Sequence, residues 1–143
     1  MNSELTISTD KARLDVPLIH RFLSQESYWA ANIPIDLVQR SIDNSLCFGV
    51  YEGEGQIGFA RVITDQTTFA YLADVFVLPA YRGRGIAKQL VATISAWPTL
   101  QGLRRWVLAT RDAHTLYAQF GFTALDQPDL FMQRKRENPY QPC

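Results

Sequence analysis

A long apolar run leads through a short glycine-containing loop straight into an amphipathic helix, and this unit constrains the fold more than any other part of the chain. The run FAYLADVFV lies within a predicted strand, TTFAYLADVFVL, and the loop after it carries Arg-Gly-Arg-Gly at residues 82–85. The apolar face of the next helix consists of Ile86, Leu90, Val91, Ile94 and Trp97. A strand, a loop and a helix joined this closely predict a sheet with a helix packed on one face.

The remaining segments predict the order β-α-α-β-β-β-α-β-α-β-β, with a run of antiparallel strands before a β-α-β unit. Asp15 and Pro17 are typical of the start of the first helix, and Pro34 opens the second. The other predicted elements are LTIS, the hairpin of CFGVYE and QIGFARVIT, the strand LRRWVLAT, the helix DAHTLYAQF with Asp112 as its N-cap, and the strands GFTAL and LFMQR. We expect one domain over residues 1–143, with a loose tail from about residue 135. The fold class is α/β (α+β) with three layers: a mixed, mostly antiparallel sheet and helices on both faces.

Charge and composition disfavour several classes of partner. Fourteen basic residues balance fourteen acidic ones, so electrostatic capture of nucleic acid or of a membrane surface is not expected. The N-terminus lacks a secretory pattern, and no apolar run reaches the roughly 20 residues of a membrane span, so we expect a cytoplasmic protein. Cys47, Cys143, His20 and His114 are too scattered for a metal site, and a reducing cytoplasm disfavours a Cys47–Cys143 disulfide.

The glycine loop has the features of a phosphate site. The first turn of a helix presents unpaired N–H groups, and glycines there let a phosphate approach the main chain. The other interpretation is a tight solvated turn with its arginines in water. The P-loop pattern is absent, and Lys88 stands where a dinucleotide fingerprint needs its third glycine. The loop does match [Q/R]-x-x-G-x-[G/A] at residues 82–87.

This match, within DVFVLPAYRGRGIAKQLV, resembles motif A of the GNAT superfamily of N-acetyltransferases, and LYAQFGF resembles a later signature of the same family. The resemblance covers nearly the whole chain and implies acetyl-CoA as co-substrate and no metal. It implies that the backbone of Val75, Phe76 and Val77 contacts the pantetheine arm. The residues implied to hold the pyrophosphate are Arg82, Gly83, Arg84, Gly85, Ile86, Ala87 and Lys88. The next strand is expected to splay away and leave a V-shaped slot for the cofactor.

Two side chains are candidates for the proton transfers that such a reaction needs. By the resemblance, Tyr117 occupies the place of the general acid near the CoA sulfur; the other interpretation is a core tyrosine between Leu116 and Phe120. Asp74 interrupts the apolar strand and is the candidate base, and strand alternation places it on one face with Leu72 and Phe76. A structural acid paired with an arginine is the competing interpretation.

The acceptor side is less constrained by the sequence. Tyr28 and Trp29 are candidates for one wall of an amine pocket, or for anchors of their loop on the core. His114 is a weaker candidate for the base and for an acceptor contact, and Arg61 and Arg111 could meet a carboxylate. The expected acceptor is a small-molecule amine or a protein amino group. The alternatives are a non-catalytic acyl-CoA-binding module and a nucleotide-binding protein of another class. By the resemblance, the late strand DLFMQR could be the edge of a homodimer, and a monomer is the alternative.

Overall fold

The computed structural model describes residues 4–140, and at its centre is a five-stranded sheet in the order β1-β2-β3-β4-β5. The strands are β1 (Leu5–Ser8), β2 (Leu46–Glu52), β3 (Gly55–Thr64), β4 (Phe69–Val77) and β5 (Arg105–Leu108). The first four strands are antiparallel neighbours, and β5 runs parallel to β4. The parallel pair needs a long crossover connection, which the helix after the glycine loop provides.

The helices are α1 (Val16–Gln25), α2 (Ile35–Asp43), α3 (Ile86–Ser95) and α4 (His114–Ala118). Asp15 caps α1 as predicted, since its Oδ1 accepts a hydrogen bond from the Leu18 N–H at 3.1 Å. The predicted N-cap role of Asp112 is wrong, because α4 begins at His114 and its N-cap is Ala113. The side chain that helps there is Thr110, whose hydroxyl accepts from the Ala113 N–H at 3.0 Å.

The core consists of two clusters, one on each face of the sheet. Residues of α3, among them Leu90 and Ile94, pack on one face together with Val62 and Leu72. Residues of α1 and α2 pack on the other face around Phe59 and Phe76, and the ring of Phe22 stacks on Phe76 with 4.0 Å between centroids. The predicted three-layer arrangement with helices on both faces is therefore confirmed.

A β-bulge in β4 corrects the predicted orientation of its side chains. Phe59 of β3 faces Phe76, whereas Arg61 faces Ala73, so β4 contains one residue more than β3 over this stretch. Asp74 absorbs the bulge with a φ of +54°. Because the bulge shifts the alternation, Leu72 and Phe76 lie in clusters on opposite faces, and the prediction that both share a face with Asp74 is wrong.

The end of the chain also differs from the prediction. In residues 119–140, GFTAL and LFMQR form no strand, and a 3-10 turn at Pro128–Leu130 is the only regular element described there. Neither run finds a partner strand, and an isolated strand leaves its backbone groups unpaired. Residues 123–139 are exposed, but Tyr140 is partly buried against the α1–α2 cluster, so the predicted loose tail is docked at this point.

No helix within residues 4–140 is long and apolar enough to cross a membrane. Cys47 is buried, and Cys143, its partner in the disfavoured disulfide, lies outside the described residues. The cytoplasmic location, the single-domain organisation and the homodimer stay predictions.

Candidate active site

A cleft of about 740 Å³ opens where β4 and β5 stop pairing. The two strands are paired only between Phe69–Leu72 and Arg105–Leu108, while β4 continues to Val77. The cleft lies at the carboxyl ends of this parallel pair, which is where α/β sheets place ligands. Its other walls come from the α1–α2 loop, α2, the segment after β5, and Tyr140. The end of pairing between β4 and β5 agrees with the splayed strands that the resemblance implied, and the role of the cleft as a cofactor slot stays a prediction.

The glycine loop stands next to this cleft, at the end of β4, and is not part of its lining. Gly83 and Gly85 have φ angles of +80° and +75°, and Gly85 is the N-cap of α3. A Cβ at either glycine would meet no atom within 4 Å, so the backbone conformation, not lack of space, favours glycine here. No side chain caps α3, so the N–H groups of its first turn, at residues 86–88, point out of the helix without a capping partner.

The three cations of the loop differ in their contacts. Arg82 donates from Nε to the Val77 carbonyl at 3.1 Å, which ties the loop to the end of β4. Arg84 forms an ion pair with Glu52 at 2.7 Å, and both side chains are partly exposed. Lys88 is exposed on the first turn of α3. The loop therefore presents backbone donors, Lys88, and the exposed guanidinium nitrogens of Arg82 and Arg84 that these contacts do not use.

The strand residues assigned to the pantetheine arm bury their side chains. Phe76 belongs to the α1–α2 cluster and Val77 to the α3 cluster, while Val75 is partly buried and lines the cleft. Contacts from this stretch to a cofactor would therefore come from its backbone, as the resemblance implied. Ile86 is likewise a core residue and offers only its N–H group.

Tyr117 joins the core and the cleft. The residue is 8% exposed, packs edge-on against Phe122 at 6.0 Å, and lines the cleft. Burial raises the pKa of the Tyr117 phenol to about 12, with smaller contributions from Tyr28 and Asp112. Both interpretations of this tyrosine thus agree with its place, since a core tyrosine can present its hydroxyl to the cleft.

Asp74 lines the same cleft with both carboxylate oxygens engaged. Oδ2 accepts from the Arg61 Nε at 2.8 Å, and Oδ1 accepts from the Trp29 Nε1 at 2.8 Å. The side chain of Asp74 is 9% exposed and that of Arg61 is 16% exposed. The carboxylate is therefore paired with an arginine, as the competing interpretation proposed.

The acceptor candidates divide into two groups. Tyr28 and Trp29 line the cleft and also contact its other walls, whereas His114 is exposed on α4 and is not among the lining residues. The sequence did not single out Tyr71 or Tyr140, which line the cleft as well. Strand alternation could have indicated Tyr71, but no local signal marks Tyr140. Residues 4–140 contain no cluster of three or more His, Cys, Asp or Glu side chains that could hold a metal ion.

Comparisons with known proteins identify the family. A model of acetyltransferase (GNAT) domains matches residues 43–124. The crystal structure of a candidate GNAT acetyltransferase from Xanthomonas campestris pv. campestris is 54% identical, covers 97% of this chain and 98% of its own, and superimposes with a TM-score of 0.95. The chain belongs to the GNAT family of acetyltransferases.

Two further acetyltransferases are similar to this chain at lower sequence identity. A candidate acetyltransferase from Gibberella zeae is 35% identical over 136 residues, which cover 79% of this chain and 75% of the relative. The aminoglycoside N-acetyltransferase AAC(6')-Iy, solved in complex with CoA, is 24% identical and covers 95% of this chain and 97% of its own. Its TM-score is 0.64, and at this identity the likeness shows the fold alone.

The matched GNAT segment covers only part of the cleft. Residues 43–124 include β2 to α4, and so contain the glycine loop, Asp74 and Tyr117. Tyr28, Trp29 and Tyr140 lie outside it, although all three line the cleft. The family model therefore describes the walls of the cleft formed by β3, β4 and the segment from β5 to α4, while the wall formed by the α1–α2 loop and Tyr140 comes from segments that it leaves out.

Proposed function

We propose that this GNAT protein transfers the acetyl group of acetyl-CoA to the primary amine of a small molecule. The observation that carries the proposal is the adjacency of two features at the end of β4: a helix start with open N–H groups, and a cleft into which Tyr117 faces. The first suits a pyrophosphate and the second suits the reacting thioester.

The cofactor side supports acetyl-CoA on the chemistry of the donors. Two glycines with left-handed φ angles bring the N–H groups of the first turn of α3 to the surface, where the helix dipole favours an anion. Lys88 adds a positive charge on the same turn. AAC(6')-Iy, which shares the fold, was solved with CoA bound. These residues would hold the pyrophosphate, and the β4 backbone would hold the arm that leads into the cleft.

The reaction requires one proton to leave the nucleophile and one to reach the leaving group. The amine nitrogen forms a bond to the acetyl carbon, the carbon–sulfur bond breaks, and the electron pair of that bond stays on sulfur. The amine nitrogen loses a proton to water, Tyr117 donates its phenolic proton to this sulfur, and water returns a proton to Tyr117. Because the pKa of Tyr117 is raised to about 12, the phenol holds its proton at neutral pH and is available as an acid. No proton transfer is assigned to Asp74, because both of its carboxylate oxygens already accept hydrogen bonds; the base role expected from the sequence stays a prediction that Asp74→Asn kinetics test.

A small-molecule acceptor is supported by the aminoglycoside substrate class in the name of AAC(6')-Iy and by the cleft itself, which has the volume of a small-ligand site. Tyr28 and Trp29 provide aromatic surface that can contact a cationic amine.

The test combines binding with turnover. Calorimetric titration with acetyl-CoA, with ATP and NAD as controls, examines the cofactor assignment. Release of free thiol is then followed with neamine, spermidine, L-lysine and a lysine-containing peptide as acceptors. We expect acetyl-CoA to bind alone among the three nucleotides and at least one small amine to be acetylated. Absence of acetyl-CoA binding would refute the proposal, and binding without turnover of any amine would favour the non-catalytic module.

A further inference from the structure

Four side chains make a continuous set of contacts across the mouth of the cleft. Asp74 on β4 accepts from the Trp29 indole at 2.8 Å, and the Trp29 ring packs edge-on against Tyr28 at 5.0 Å. The Tyr28 hydroxyl accepts from the Arg111 N–H at 2.9 Å, and the Arg111 guanidinium lies 3.7 Å above the Tyr28 ring. We call Asp74, Trp29, Tyr28 and Arg111 the cross-cleft brace.

The β4 end of the brace is rigidly built. Asp74 has a left-handed φ of +54°, a conformation that costs free energy for an L-residue, and restraint by contacts with its surroundings offsets that cost. Arg61 supplies part of that restraint, because it pairs with Asp74 at 2.8 Å and donates from a second nitrogen to the Ser45 hydroxyl at 3.2 Å. The bulge thus turns the carboxylate toward the α1–α2 face, where Trp29 meets it.

The loop that carries the two aromatic residues is anchored beneath them. The Ser27 hydroxyl donates to the Leu23 carbonyl at 2.6 Å and accepts from the Ala30 N–H at 3.0 Å, and Ser27 is 7% exposed. By contrast, Tyr28 and Trp29 are 45% and 41% exposed. The backbone of the loop is therefore fixed, while its two rings reach over the cleft and depend on the brace for their position.

We propose that Asp74 is a positioning residue: through Trp29 it holds the aromatic wall of the acceptor site at a fixed distance from the opposite lip of the cleft, and it is not the base of the reaction. The inference rests on the proposed function, since it assigns the brace to the acceptor. Both carboxylate oxygens of Asp74 already accept hydrogen bonds, one from Arg61 and one from Trp29, so the carboxylate fixes the positions of these two side chains.

The geometry of the sheet explains why such a brace is needed. Beyond Leu72 and Leu108 no ladder hydrogen bond joins β4 to β5 within the described chain, so the sheet itself does not set the width of the cleft. The brace runs from the bulge on β4 to Arg111, which follows β5, and so links the two lips where the ladder has ended. Loss of one contact should loosen acceptor binding and leave the cofactor loop untouched.

An NMR experiment tests the brace without any activity. The chain has three tryptophans, and the indole N–H signal missing from Trp29→Phe identifies Trp29. We expect slow exchange of this N–H with water in the native protein, at least tenfold faster exchange in Asp74→Ala, and the signals of Trp97 and Trp106 unchanged within twofold. If Asp74→Ala does not fold, Asp74→Gly, which suits the left-handed φ at this position and also lacks the acceptor, is measured against Asp129→Gly, an exposed control. Unchanged exchange of the Trp29 N–H in the Asp74 variant would overturn the proposal.

Kinetics then separate positioning from proton transfer, with the best acceptor of the four amines above. Trp29→Phe should raise the acceptor KM about 5- to 20-fold and change the acetyl-CoA KM less than twofold, and Trp106→Phe is the matched control. Asp74→Asn should lower kcat less than tenfold. In Trp29→Phe/Asp74→Asn the effects should be less than additive, because both changes alter one contact.

The opposite kinetic pattern would overturn the proposal. If Asp74→Asn turns over about 100-fold or more slowly than the native protein, with the acceptor KM unchanged and Trp29→Phe fully active, Asp74 behaves as a base. Slow Trp29 exchange in a protein that acetylates none of the four amines would refute the proposed function, and the positioning role with it. The two failures are distinguishable because only the first leaves turnover in the native protein.

Discussion

Replacing Gly85 by alanine separates the backbone conformation of the glycine loop from its contact with the cofactor. Gly85 has a φ of +75°, and a Cβ there would meet nothing within 4 Å, so the variant suffers no clash in the free protein. A left-handed conformation costs an L-residue about 1–2 kcal/mol, and the less flexible unfolded chain offsets about 0.4–1 kcal/mol. A net loss of about 1 kcal/mol corresponds to a fall in Tm of about 3–5 °C for a domain of this size.

Gly102 is the matched control, because its φ is +77° and a Cβ would again meet nothing within 4 Å. It lies before β5 and outside the lining of the cleft. Gly102→Ala should therefore lower Tm by the same amount as Gly85→Ala, and differential scanning calorimetry measures both. Only Gly85→Ala adds a methyl group where the pyrophosphate is expected.

Calorimetric titration with acetyl-CoA then decides the role of the loop. Displacing the pyrophosphate enough to lose one hydrogen bond to a charged group costs about 1.5–3 kcal/mol, which is about a 10- to 150-fold rise in Kd. Gly102→Ala should bind like the native protein at a temperature well below both transitions. If the two variants share one Kd, the main chain at Gly85 does not approach the cofactor, and the assignment of the pyrophosphate to this loop is refuted.

Three further outcomes follow from the site and the core. Tyr117→Phe should lower kcat by about 10²–10⁴-fold with the acetyl-CoA Kd unchanged, and a variant with native kcat would contradict the acid role. Since the phenol has a raised pKa of about 12, native kcat should show no loss from Tyr117 between pH 7 and 10, and an alkaline fall in this range that is absent from Tyr117→Phe would contradict the raised pKa. Arg84→Ala should weaken acetyl-CoA binding. It should lower the free energy of unfolding by less than about 1 kcal/mol, because the ion pair of Arg84 with Glu52 is partly exposed. Glu52→Gln removes the charge that holds Arg84 and should not weaken acetyl-CoA binding. In a Cys143→Ser background, Cys47 should resist iodoacetamide at pH 8 until the protein unfolds, because burial raises the pKa of its thiol to about 11; labelling of the native protein would show that this site opens.

Local sequence signals predicted the parts of the fold whose causes are local. The cap at Asp15, the start of α2 after Pro34, the β2–β3 hairpin and the unit of β4, loop and α3 all occur where the sequence places them. Each depends on neighbouring residues: a side chain that reaches the first turn, a fixed φ, or a spacing of apolar residues. The resemblance to GNAT proteins extended these local signals to a whole fold.

The misplaced features depend on partners far away in the sequence. The bulge at Asp74 is a mismatch in length between Phe59–Arg61 and Ala73–Phe76, and alternation within β4 alone cannot reveal it. The two missing late strands have suitable residues but no strand to pair with in the described chain. No local signal in the sequence indicates an ion-pair partner for Arg84, yet its Nη2 lies 2.7 Å from Oε2 of Glu52, which is 32 positions away.

The candidate site is assembled from the places where regular structure breaks down. The parallel ladder ends at Leu72, the bulge follows at Asp74, and left-handed glycines precede α3. Each break places a polar group where a ligand or a facing loop can reach it: the unpaired edge of β4, the Asp74 carboxylate on the α1–α2 face, and the first N–H groups of α3. Because all three occur within fifteen residues of β4 and the loop after it, a single segment supplies both the proposed cofactor side and the anchor of the proposed acceptor wall. Substitutions in the glycine loop of this segment should therefore change binding and turnover more than stability, while substitution of Phe22, which stacks on Phe76 in the core, should do the reverse.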